Sequence, residues 1–216
     1  MSSRIIAAAA AAGLIGVASP AAAEIVIVDA SSIQGANVLF NSGDQSGNHV
    51  TGFTNDAANA PIVFTGALGA ILNVGNAGRI QGAPNTVTPR PSILPLKGLS
   101  FAMDDGGTFN NLEFNVFGGA GTTATFTLTD NAGTEFSFAR ALTNGANFFG
   151  FQGINGQTIR DVEIAVSGVG FRDLRQIRLD VVAAVPEPAS WALMIGGLGM
   201  IGMIGRRRVR PGTTYS

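Results

Sequence analysis

Apolar and polar positions alternate through most of the chain between residues 24 and 183. Leu112, Phe114 and Val116 alternate with Asn111, Glu113 and Asn115. Ala124, Phe126 and Leu128 alternate with Thr123, Thr125, Thr127 and Thr129. Phe136 and Phe138 flank Ser137, Val162, Ile164 and Val166 alternate with Asp161, Glu163 and Ala165, and Ile177, Leu179 and Val181 alternate with Arg178 and Asp180. Strand side chains point to opposite faces with a period of two, so each run predicts a strand with one face inward and one solvated. Further strands are expected at 24–29, 38–41, 61–65 and 96–103. Asp104-Asp105-Gly106-Gly107, Asp130-Asn131-Ala132-Gly133, Asn144-Gly145 and Asn155-Gly156 punctuate the runs as turns. Asn-Gly pairs accept the positive φ that tight hairpins require. Pro84, Pro89, Pro91 and Pro95 make 82–95 an extended loop. The expectation is an all-β domain over 24–183, an antiparallel β-sandwich of jelly-roll type.

The two ends follow other patterns. Arg4 precedes an uncharged, Ala-rich run from Ile5 to Ala18, Ser19-Pro20 interrupts it, and Ala21-Ala22-Ala23 supplies small residues. This is the layout of a secretory signal peptide over 1–23, with cleavage expected after Ala23. Beyond the body, Pro186-Glu187-Pro188 and Trp191-Ala192 open an uncharged stretch over 191–205, which Arg206, Arg207, Arg208 and Arg210 close. As a helix its 15 residues would extend ~22 Å at ~1.5 Å per residue, short against a hydrocarbon core of ~30 Å. Trp191 suits one interface and snorkelling arginines the other, so 191–205 reads as a short transmembrane helix. The prolines keep 184–190 extended. The Arg cluster orients the segment by the positive-inside rule, with 206–216 as a basic cytoplasmic tail and the body on the far side.

This tripartite ending resembles the PEP-CTERM sorting signal of Gram-negative bacteria, in the variant with Pro-Glu-Pro-x-x-Trp-Ala. The residues that carry the resemblance are Pro186, Glu187, Pro188, Trp191 and Ala192, then the short span and the basic cluster. The resemblance covers about the last 30 residues. It implies recognition and cutting by exosortase near the Pro-Glu-Pro motif. It further implies an inner-membrane-anchored precursor with its body in the periplasm, then delivery to the cell surface or beyond, often alongside exopolysaccharide. In that reading the motif residues are substrate, and the partners are exosortase, the secretion machinery, transiently the inner membrane, and exopolysaccharide.

Charge and composition narrow the function further. Residues 24–183 hold 13 acidic and 8 basic residues, so the body is acidic and a poor partner for nucleic-acid phosphates. The absence of Cys excludes disulfides, thiol nucleophiles and zinc–thiolate sites. Fourteen Phe stand against one Tyr and one Trp, and Phe is a core residue without a polar handle. Trp191 and Tyr215 both lie outside the body, which argues against aromatic stacking on sugars. Phe148, Phe149 and Phe151 are close together, so at least one is expected to face outward, with Phe148 or Phe149 covering the core edge rather than forming a ligand platform.

Candidate chemistry is sparse. His49, the single imidazole, lies in a polar stretch read as a loop, and no Gly-x-Ser-x-Gly elbow accompanies any Ser. Asp104-Asp105 reads as a turn, and Asp161 with Glu163 as the solvated side of one strand, so neither pair predicts the cleft that glycoside hydrolysis needs. Asp44, Asp56, Asp104 and Asp105 lie in loops whose carbonyls would complete a structural calcium site, although no Asp-x-Asp-x-Asp-Gly loop is present. Asp173/Arg175 and Arg178/Asp180 read as surface ion pairs on an edge strand. No nucleotide fingerprint occurs. The expectation is a non-enzymatic exported protein with no catalytic residue, metal or cofactor. The alternatives are a secreted hydrolase of glycan or ester using His49 or loop carboxylates, and a permanently anchored single-pass protein.

Overall fold

The computed structural model describes residues 24–41, 43–75, 78–85, 92–182 and Ile195. The strands are β1 (Glu24–Val28), β2 (Ala36–Leu39), β3 (Gln45–Gly47), β4 (His49–Thr54), β5 (Pro61–Gly66), β6 (Leu72–Gly75), β7 (Arg79–Gly82) and β8 (Pro84–Asn85). They continue with β9 (Ser92–Ile93), β10 (Gly98–Met103), β11 (Thr108–Phe117), β12 (Thr123–Asp130), β13 (Glu135–Ala141), β14 (Ala146–Ile154), β15 (Ile159–Val166) and β16 (Asp173–Val182). Short 3-10 turns occupy Ala30–Ser32 and Ala67–Gly69.

Every pairing is antiparallel. One layer runs β1-β14-β11-β16, with β2 and β7 side by side along the far edge of β16, and then β6 and β3. The other runs β4-β5-β10-β15-β12-β13. Strand β2 joins them, because it pairs with β16 in one layer and β4 in the other. The body is all-β, as the alternation predicts.

Phenylalanines fill the space between the layers. Phe114 of β11 meets Phe126 of β12 at 5.6 Å between ring centroids and crosses Phe101 of β10 edge-on at 6.0 Å. Phe126 meets Phe149 of β14 at 4.5 Å, and Phe138 of β13 meets Phe151 at 5.6 Å. Phe64, Phe101, Phe109, Phe114, Phe126, Phe151 and Phe171 are fully buried. Burying such a side chain stabilises the fold by roughly 1.5–3 kcal/mol. The aromatic content of the sequence is therefore largely spent on the interior.

The turns lie where the sequence places them, but the two Asn-Gly turns cross between the layers and close no hairpin, because β14 pairs with β1 and β11, β13 with β12, and β15 with β10, β11 and β12. Asn155 (φ 57°) and Gly156 (φ 82°) link β14 to β15 with two successive positive φ values, the type I′ pattern. Gly145 (φ 106°) lies in the β13–β14 connection. In the β12–β13 turn, Asp130 Oδ1 accepts from the amides of Ala132 (2.8 Å) and Thr134 (2.7 Å).

Several expectations are corrected. Strand β16 is interior, flanked by β11 on one side and by β2 and β7 on the other, so its ion pairs are not on an edge. Asp173 is fully buried, and Arg178 pairs with Glu113 at 3.4 Å while Asp180 accepts from Asn110 and Asn111. The polar side of β11 is not solvated throughout: Glu113 and Asn115 are buried. Glu113 lies opposite Gly150, whose Cα faces Ala30 so closely that a Cβ would come within 2.9 Å of it, so the 3-10 turn covers this face. His49 opens β4 and is not in a loop. Within 82–95, β8 and β9 form a two-stranded pair. The signal segment 1–23 with its cut after Ala23, the motif residues Pro186, Glu187, Pro188, Trp191 and Ala192, and Arg206, Arg207, Arg208 and Arg210 lie outside the described residues. So does the expected span 191–205, apart from Ile195, and among the described residues no helix is long and apolar enough to cross a membrane.

Candidate functional site

The outward face of the β4–β13 layer is built from the polar half of the alternation. Register places Ser137, Thr127, Glu163, Ser100, Thr65 and His49 in one row across β13, β12, β15, β10, β5 and β4. The next row sets Thr125 beside Ala165 and Gly98. Threonine suits this surface, because its branched Cβ favours strands and its hydroxyl stays available to partners.

One end of this face is hollowed into an open groove of about 1010 Å³. Thr65, Ser100, Thr123, Thr125, Ser167, Glu163 and Lys97 give it polar character, and Leu68, Ala67 and Ala165 its apolar surface. Gly98 permits the close packing behind it: a Cβ there would lie 2.4 Å from Ile164 O and 3.2 Å from Ala67 Cβ. Leu68 stands at the rim, 99% exposed and at φ 54°, a left-handed conformation uncommon for a non-glycine residue. Lys97 Nζ donates to Gly168 O, and Ser167 Oγ donates to Thr123 O at 3.3 Å, so both side chains tie the groove wall together. Among the described residues the groove thus offers hydroxyls, one carboxylate and one ammonium beside an apolar ridge, with no aromatic ring in its lining.

His49 Nδ1 lies 2.9 Å from Thr65 Oγ1, which is within the reach of a base and a hydroxyl nucleophile. Among the described residues no carboxylate bonds to the other ring nitrogen of His49, the group that would orient it in a triad. Asp161 lies beside Arg160 at 2.5 Å, a contact that raises the arginine's already high pKa. Asp105 accepts from the amide of Gly107 at 3.0 Å, and Asp56 accepts from Thr54 Oγ1 at 2.7 Å, so both carboxylates shape turns. Among the described residues no three His, Cys, Asp or Glu side chains gather as metal ligands, so Asp44, Asp56, Asp104 and Asp105 are not brought together.

The opposite layer carries a second polar cluster, built on Asp173 and Arg175. Arg175 grips Asp173 in a bidentate contact, Nε to Oδ1 at 2.5 Å and Nη2 to Oδ2 at 2.7 Å. Arg172 adds a third contact at 3.8 Å. The two-residue spacing of Asp173 and Arg175 is the signal that put them on one face.

Comparison with solved structures finds the family 11 carbohydrate-binding module of the cellulosomal cellulase Lic26A-Cel5E of Clostridium thermocellum. It is 8% identical, the match covers 78% of this chain and 99% of that one, and the TM-score is 0.27. A second structure, the family 11 module from Clostridium thermocellum in complex with a β-1,3-1,4-mixed-linked tetrasaccharide, is 9% identical, with 77% and 100% covered and a TM-score of 0.25. Scores this low leave the fold to be argued from the strands themselves. No curated protein matches the chain. Residues 184–208 match the family described as the PEP-CTERM protein-sorting motif, and the chain therefore carries a PEP-CTERM sorting signal immediately after its all-β body.

Proposed function

We propose that this is an exported, non-enzymatic surface or matrix protein. Its precursor is held in the inner membrane by 191–205 with the body in the periplasm, and exosortase cuts it near Pro186-Glu187-Pro188. The sandwich is then released to the cell surface, where it contacts exopolysaccharide through the groove on its β4–β13 layer. The observation that carries the reading is the sorting motif at 184–208, placed directly behind a folded body. The groove supports the binding role: Thr65, Ser100 and Thr125 supply hydroxyls, Glu163 and Lys97 supply charge, and Leu68 supplies an apolar contact for a sugar's C–H face.

The test is a strain lacking exosortase. The protein should accumulate there at full length in the membrane fraction, while the parent strain yields a surface form that ends near Pro186. An unchanged mass and location in the two strains would remove the sorting half of the proposal. Retention on the producing cell's own polysaccharide, lost in Glu163→Gln with Lys97→Ala, tests the binding half.

A second reading has one contact in its favour. The His49–Thr65 hydrogen bond allows a secreted hydrolase of glycan or ester. Turnover of a glycan or ester panel that disappears in His49→Ala would establish it, and absence of turnover in the parent protein would dismiss it.

A further inference from the structure

Of the eight basic residues in 24–183, four gather at one place: Arg79 on β7, and Arg172, Arg175 and Arg178 on or just before β16. Three of them have carboxylates. Arg175 and Arg172 share the buried Asp173, and Arg178 meets Glu113. Arg79 is the exception: its Nε is buried, and among the described residues nothing accepts its proton. A buried donor left without a partner is expensive, which is why such atoms are rare in folded proteins.

Register adds a second cost at the same spot. Arg79 and Arg175 are direct partners across the antiparallel β7–β16 pair. Like charges set opposite one another on a sheet repel. Arg175 is immobilised between the Asp173 carboxylate and the Phe117 ring, so it does not swing away. Beside the two guanidinium-bearing residues is a hollow of about 250 Å³, walled by Arg79, Arg175, Gly78, Gln176 and Asn37. Gln176 interrupts β16 with a left-handed φ of 52°, a strained conformation of the kind that collects at ligand sites. Arg79, Arg172 and Arg175 against Asp173 leave this corner at net +2, on a body of net −5.

We propose that the hollow is an oxyanion site that takes a carboxylate or sulfate group borne on a polysaccharide. Arg79 is its binding residue and Arg175 its fixed second cation. One bound oxyanion neutralises the opposed charges, and guanidinium groups are well matched to such ligands. The site itself stands apart from the groove reading. Only the identity of the carrier polymer rests on the proposed polysaccharide contact.

The experiment uses the full-length chain in detergent micelles, titrated calorimetrically with sodium glucuronate and with sodium sulfate, and with glucose as the neutral control. Saturable binding of either anion, at least tenfold weaker in Arg79→Gln and unchanged in Arg140→Gln, supports the site. Glucuronate alone assigns a carboxylate, and sulfate alone a sulfate ester. Because the opposed charges are relieved, Arg79→Gln is expected to fold with an unaltered or raised Tm. Should it fail to fold, Arg79→Lys, which keeps the charge but shortens the reach of the donor, must still weaken binding several-fold. No saturable binding to the parent chain, or equal binding in the variant that folds, overturns the proposal. Polygalacturonate and dextran sulfate, set against plain dextran, then separate the two ideas. If the free anions bind and neither acidic polymer does, the site survives and the polysaccharide contact falls.

Discussion

The guanidinium carbon of Arg175 lies 3.9 Å from the centroid of the Phe117 ring. That stacking positions the planar fork so that both oxygens of the fully buried Asp173 are gripped at 2.5 and 2.7 Å. Phe117 and Asp173 are themselves cross-strand partners on β11 and β16. A cation, a ring and a buried carboxylate are thus locked together across two interior strands. Lysine would satisfy neither the planar stacking nor the two-pronged contact.

Removing Arg175 strands a charge in the interior. Arg175→Leu should destabilise the protein by about 3 kcal/mol, since it leaves the buried Asp173 carboxylate with only the 3.8 Å contact to the exposed Arg172. Adding Asp173→Leu should recover much of the loss, because the second change removes the stranded charge. Urea denaturation of the two variants checks this, and equal stability of single and double variants would contradict it.

The two phenylalanine environments separate clearly. Phe126 is fully buried against Phe114, Phe149 and Phe151, so Phe126→Ala should cost about 3–5 kcal/mol. Phe148 is 48% exposed on the opposite side of the same strand, β14, from its buried neighbours, and Phe148→Ala should stay within about 0.5 kcal/mol of the parent. Thermal or chemical unfolding distinguishes them.

The first 3-10 turn should respond to acid. Its cap, Asp29, accepts from the Ser31 amide at 2.9 Å and the Ser31 hydroxyl at 2.8 Å, and these bonds hold its carboxyl below the usual range. A carboxyl with a lowered folded pKa stabilises above its unfolded value and loses that contribution as pH falls through the folded one. Carbon-detected NMR titration should show Asp29 titrating low. Ser31→Ala should move it part of the way back, because the backbone bond remains.

Processing should depend on the sorting motif and not on the fold. Replacing Pro186, Glu187 and Pro188 together by Ala should leave a precursor whose mass still includes Ser216. The unfolding midpoint of the body should not change, since β16 ends at Val182. Intact-mass measurement and thermal unfolding read the two effects separately.

How far the sequence speaks depends on the range of the interaction. Strands β11, β12, β15 and β16 follow from alternation, and the Asn155-Gly156 turn from the φ values that pair tolerates. Strand β14 is not legible in the sequence, because Phe148, Phe149, Gly150 and Phe151 do not alternate. Gly150 is there to admit Ala30, a contact between segments far apart in sequence. Strands β3, β4, β6 and β7 leave no clear sequence pattern, because they are short and mix Gly and polar residues with few apolar ones. The hydroxyl lining of the groove was half legible. Thr123 to Thr129 predicted an outward polar row, but nothing in the sequence set it beside Ser100, Thr65 and Lys97.

The sequence alone determined the all-β class of the body, the inward use of phenylalanine and the sorting signal, because periodicity, turn chemistry and a linear recognition motif are properties of neighbouring residues. The tertiary structure alone decided that β16 is interior, that Asp173 is buried under Arg175, and that Arg79 lies opposite Arg175 with its Nε unpaired among the described residues. Those facts depend on which strand lies next to which, and strand order is set by packing between segments that the sequence holds far apart.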